Sequence, residues 1–265
     1  MLNPTGNKMK VRNFIRDKNL WNDESLFTIF ESELKKENPS IQNTMEAIST
    51  LKHMCSLDPE IEIRDKHILC KVDLEINRAI DIITKDFPSI SVPIYIFGMS
   101  KDSFKIQMMN GIGGFAFQKA SIIYFAPDAN WQGHLSRAIV HELNHAVRII
   151  HANPYLNFLN WLTSEGMAEV YIDERFPSEP SSKWATHVSP SDLKIFYEKL
   201  IKFDLVNGFF PNSSEWFYGS DELGIPGWFG YSLGYDMVKK YRMKNKDVLW
   251  SDFIKTDSHT LIKNY

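Results

Sequence analysis

The run 134-HLSRAIVHELNHAVRIIH-151 constrains the fold more than any other stretch, because an amphipathic helix here would carry a glutamate inside its apolar face. With residues placed about 100° apart, Leu135, Ala138, Leu143, Ala146 and Ile149 fall in one broad arc. Arg137, Asn144 and Arg148 fall on the other side, while Glu142 lies between Ile149 and Leu135. A carboxylate taken out of water without a partner costs several kcal/mol. An ordinary surface glutamate would not be placed there. His141 and His145, one turn apart, share a face and can grip one ion.

The spacing His-Glu-x-x-His accounts for all three residues. Imidazoles at i and i+4 supply two zinc ligands, and the glutamate beside the first acts as general base toward a water at the metal. A catalytic zinc takes three protein ligands and keeps one position open. The third is expected from 161-WLTSEGMAEVY-171, where Glu165 shares a helix face with Phe158, Leu162 and Ile172, and Glu169 follows one turn later. Two carboxylates on an apolar face repel each other unless a cation or donors neutralise them. His141, His145 and Glu165 around one zinc would do so, with Glu169 accepting from the free ring nitrogen of a ligand histidine. On sequence alone the two glutamates can exchange roles.

The 265 residues, 43% hydrophobic and 24% charged, suffice for one large domain or two small ones. A net charge of -3, spread along the chain, advertises neither nucleic acid nor an anionic membrane as partner. No stretch has the roughly 18 apolar residues of a membrane span, and the basic N-terminal segment is followed by no signal-like apolar run. A soluble, cytoplasmic protein is expected. Cys55 and Cys70 form no CxxC pair and read as free thiols. Nothing in the sequence sets an oligomeric state.

Residues 1–90 read as a helical region, with periodic runs 24–37, 43–54 and 71–87. Residues 91–265 read as the catalytic domain. It opens with a small, largely antiparallel sheet over 91–127, from runs 91–98, 104–109, 113–118 and 121–127. Helices follow at 134–151 and 155–176. In the mostly helical part over 190–265, one helix starts at 189-SPSD-192 and runs to about 203, and a last long one spans about 230–242. The loop 203–228 is long enough to suspect a functional surface.

HELNH followed by SEGMAE resembles the gluzincin metallopeptidases, whose second helix carries an EGxAE-like motif. With LTSEGMAEVY, 189-SPSDL-193 and 226-PGWFGYSLGYDMVKKY-241, the chain is similar to the YjaZ-type predicted zinc-dependent proteases over roughly residues 75–260. The resemblance implies an α+β, zincin-like fold in which the active-site helix lies beneath the edge strand of a small sheet. It implies one zinc per chain and hydrolysis of a peptide or protein substrate. It also points to a tyrosine or histidine after the third ligand as donor to the carbonyl oxygen, for which Tyr231 and Tyr235 are the candidates, Tyr231 first. In 110-NGIGGFAFQ-118, before the active-site helix, Gly113 and Gly114 would let a substrate backbone approach or would simply shape a hairpin. Gly230 and Gly234 weaken their helix and suggest close approach of another backbone. The competing reading is a non-catalytic interaction or regulatory protein that keeps the zincin fold with a structural or vestigial metal site. A further one has the two helices hold no metal, with Glu142 paired to an arginine.

Overall fold

A computed structural model describes residues 9–22, 24–37, 42–100 and 110–265. Among these, four strands and ten α-helices form a mixed α and β structure. The chain separates into two compact units, residues 1–146 and 147–265. The change of sequence pattern near residue 90 falls inside the first.

The first unit is built on a sheet of β1 (Val11–Asn13), β2 (Ile94–Gly98), β3 (Ile112–Phe117) and β4 (Ala120–Phe125), in the order β1-β2-β4-β3. β1 pairs parallel with β2, and β2 parallel with β4; only β3 and β4 are antiparallel. The expectation of a largely antiparallel sheet is therefore corrected. The turn after Phe117 joins β3 and β4 as a hairpin, whereas the parallel partners meet across long connections that leave no local turn signal. Within residues 1–90 helices lie on all three periodic runs, and β1 is an added element that three residues are too few to announce by alternation. The expected strand at 104–109 lies outside the described residues.

Every residue of β2 and β4 is buried, as a sheet covered on both faces requires. On one face Tyr95, Phe97, Phe117 and Ile122 join Phe14, Phe27 and Phe30 in an aromatic core. Leu34 of α1 (Thr28–Glu37) and Ile48 and Leu51 of α2 (Thr44–Cys55) belong to the same core. α3 (Lys66–Asp86) follows, with Asp65 capping its first turn. The opposite sheet face takes α4 (Leu135–Arg148): the Ser121 hydroxyl donates to the Glu142 carbonyl at 3.5 Å.

The second unit centres on α5 (Phe158–Arg175) and α8 (Phe229–Lys244), which share the largest helix contact of the described residues. α6 (Pro190–Leu200) starts as the sequence indicates, the Ser189 side chain accepting from the Asp192 N–H. α7 (Ser213–Tyr218) lies inside the stretch expected to be loop, and α9 (Trp250–Phe253) and α10 (Ser258–Lys263) close the chain. Gly234 meets the Leu162 carbonyl and Gly166 so closely that neither glycine has room for a Cβ, and Gly230 lies equally close to Phe217. The weak helix formers of α8 therefore mark a backbone crossing.

The polar side of α4 is not a solvated face. Arg137, Asn144 and Arg148 are all buried. Arg148 donates to the carbonyls of Ile254 at 2.5 Å and Thr256 at 2.6 Å, satisfying acceptors that the short α9 leaves open. Burial lowers its pKa to about 10, with Asp257 opposing the shift. It remains a cation at neutral pH and holds the segment from Ile254 to Ser258 against the end of its helix.

Candidate metal centre

The site begins with the two imidazoles on α4. Their Nε2 atoms face each other at 2.9 Å, with the rings at 82° and their centroids 4.6 Å apart. Converging nitrogens are what a metal needs from an i, i+4 pair. His145 is 8% exposed and Glu142 7%, so the glutamate is buried as its position on the wheel requires.

Glu142 lies against β3, an edge strand among the described residues. A Cβ built on Gly114 would come within 3.0 Å of the Glu142 Cγ, Cδ and Oε1. Gly114 therefore makes room for the glutamate of the chain's own helix. Gly113, facing the other way, makes room for the ring of Tyr124, its partner across the hairpin. Replacing Gly114 by alanine meets the far end of a flexible side chain, so Glu142 moves and the backbone stays. Gly114→Ala is expected to keep its melting temperature and metal binding; under the function proposed below, in which Glu142 is the base, peptide cleavage should fall about 10²-fold, the cost of a base displaced by roughly 1 Å. Melting curves, metal titration and peptide cleavage measured together check it.

On α5, Glu165 is partly exposed and Glu169 fully buried, which separates two residues that looked equivalent in sequence. His141, His145 and Glu165 each offer one ligand atom, and these atoms lie within 4.8 Å of one another. Two imidazoles and a carboxylate, partly open to solvent, are a donor set that fits zinc with one position left over. Glu169 accepts from the Trp184 indole N–H at 2.7 Å through its Oε1.

The tyrosines divide by environment. Tyr235 donates to Asp173 at 2.5 Å and accepts from Lys239 at 2.7 Å, with Ser181 at 3.3 Å. Burial, and then the bond to Asp173, raise its pKa. Tyr231, partly exposed, packs edge-on to Phe217 and Trp228 at 4.8 and 5.4 Å. Tyr218 at the end of α7 was not singled out by the sequence. Desolvation, followed by the negative charge of Glu165, pushes its hydroxyl up to about 12 although half of the residue's surface stays open. Its hydroxyl is thus a donor at neutral pH on the Glu165 side of α5. No motif surrounds it; only the suspicion attached to loop 203–228 pointed its way.

The model of the family described as "Predicted Zn-dependent protease (DUF2268)" matches residues 72–263. The uncharacterized protein YjaZ of Bacillus subtilis (strain 168) is 29% identical over 165 residues, covering 58% of this chain and 60% of that protein. The chain thus spans less than two thirds of that relative. The uncharacterized protein YjfC of the same organism is 22% identical over 257 residues, covering 90% of this chain and 86% of that one. No solved structure matches significantly. Among the described residues no helix is long and apolar enough to cross a membrane. The matched residues include both helices of the candidate site, and the chain belongs to the family of predicted Zn-dependent proteases.

Proposed function

We propose that the protein is a zinc-dependent metallopeptidase with a zincin-like fold, acting on peptide or protein substrates in the cytoplasm. The observation that carries this reading is the buried Glu142, seated on Gly114 beside two imidazole nitrogens 2.9 Å apart. A binding module has no use for a carboxylate held there.

His141, His145 and Glu165 would hold the ion. Zinc so bound supplies a Lewis acid and brings the pKa of a bound water toward neutrality. Glu142 then takes a proton from the attacking water and passes it to the departing amine nitrogen, so that water adds across the C–N bond. Tyr231 serves as donor to the carbonyl oxygen in this scheme, and Tyr218, whose hydroxyl feels the charge of Glu165, is a second candidate for that role. Glu169, whose Oε1 accepts from Trp184, would orient a ligand histidine by accepting from its free ring nitrogen.

Metal content per chain tests the reading. Elemental mass spectrometry of untagged protein should give about one zinc for wild type, as three ligands and one open position imply, and a clear loss for Glu165→Ala. Absence of zinc in both, after reconstitution with excess metal, would overturn the enzyme reading in favour of a non-catalytic protein.

A further inference from the structure

Beside Glu165 the second unit carries a run of aromatic rings that its core does not fully cover. Trp161, one turn before Glu165 on α5, stacks on Phe217 at 3.7 Å and 4°, and meets Phe209 at 6.0 Å and Tyr218 at 5.6 Å. Tyr218 continues to Tyr231 at 6.2 Å, and Tyr231 to Trp228 at 5.4 Å. Phe209 and Tyr218 are 48% and 51% exposed, and Trp161, Trp228 and Tyr231 are partly so. A contiguous open aromatic surface is unusual on a soluble fold and marks a place where something apolar binds. The Trp161–Phe217 stack fixes it, so little side-chain entropy is lost on binding.

Charge narrows the occupant. Between Phe203 and Tyr231 the chain carries Asp204, Glu215, Asp221 and Glu222 and no lysine or arginine. Aromatic platforms that stack nucleobases sit in basic grooves that neutralise phosphate. The stretch of chain that supplies most of these rings carries carboxylates and no cation, a charge that disfavours phosphate and acidic peptides alike.

We propose that these rings form the specificity surface of the site, taking a large apolar or aromatic side chain of a peptide and disfavouring acidic neighbours. The proposal rests on the metallopeptidase reading for its place in the reaction, but binding can be measured apart from cleavage. The probe is a set of labelled heptapeptide pools, random except for a central Phe, Leu, Ala or Asp, titrated against zinc-treated full-length Glu142→Gln protein by fluorescence anisotropy. Zinc content is read on the same sample. The Phe and Leu pools should bind about tenfold or more tighter than the Ala pool, with the Asp pool weakest. Phe209→Ala and Tyr218→Ala, both at exposed positions, should each cut that preference to below about threefold if the rings make the contact. Equal binding of all pools, a preference that survives both variants, or tighter binding of a random single-stranded RNA would overturn the proposal. Discrimination among peptides by a chain that takes no zinc would uphold the surface and remove the metallopeptidase reading. Zinc uptake without discrimination would do the reverse.

Discussion

Glu142→Gln protein is expected to carry the same zinc as wild type and to cleave a peptide library about 10²–10⁴ times more slowly, the usual worth of a general base. The substitution keeps the length and shape of the side chain, so the space that Gly114 leaves is filled as before. It takes away the ability to receive a proton. The metal ligands are untouched, because the proposed donors are His141, His145 and Glu165. Melting curves on the same samples show whether the fold is kept, so that a loss of cleavage is read against an unchanged structure. Comparison with Gly114→Ala separates chemistry from placement: one variant removes the base, the other moves it. Undiminished cleavage by Glu142→Gln would exclude the assigned role, whatever the metal content.

The sequence made this residue legible for a physical reason. A glutamate on an apolar helix face is a conflict between burial and charge, and such conflicts stand out in a single sequence. The same logic pointed to Gly230 and Gly234, whose poor helix propensity is explained by the backbone and ring that approach them. Ser189 was legible as a cap because capping is local. What stayed hidden depends on contacts distant in sequence. The parallel pairing of β1, β2 and β4 needs long connections, so local turns suggested the wrong sheet. The role of Arg148 is not legible in sequence because its acceptors, the carbonyls of Ile254 and Thr256, lie more than a hundred residues away. For Gly114 the sequence leaves substrate approach and a plain hairpin open, while the neighbour it makes room for is a helix that follows in the chain. Tyr218 was missed because its nearness to Glu165 arises from the packing of α7, an element with no strong periodicity of its own.

The largest stability effect is expected from Gly166→Ala. Taken alone, the exchange favours the variant, since alanine is about 1 kcal/mol better than glycine in a helix interior. Packing decides the other way. The new Cβ would lie within 3.0 Å of the Gly234 carbonyl carbon and oxygen and of the Tyr235 nitrogen. These are backbone atoms, so no side chain can swing aside, and α5 and α8 must separate along the largest helix contact in the protein's described residues. Overpacking of this kind typically costs 1–3 kcal/mol and sometimes more; with no flexible neighbour to yield, a net loss of about 3 kcal/mol is expected. For a chain of this size that lowers the melting temperature by about 6–12 °C. Gly227→Ala is the control: its nearest atom to a new Cβ is the His187 Nε2 at 3.8 Å, an ordinary contact, and its melting temperature should stay near that of wild type. Gly166 adjoins Glu165, so helix separation also shifts the carboxylate proposed as the third ligand. Zinc affinity should then fall together with the melting temperature in Gly166→Ala and remain unchanged in Gly227→Ala. A Gly166→Ala protein that melts like wild type would mean that the two helices do not cross at these glycines, and the closeness of their backbones would no longer explain the glycine of the SEGMAE motif.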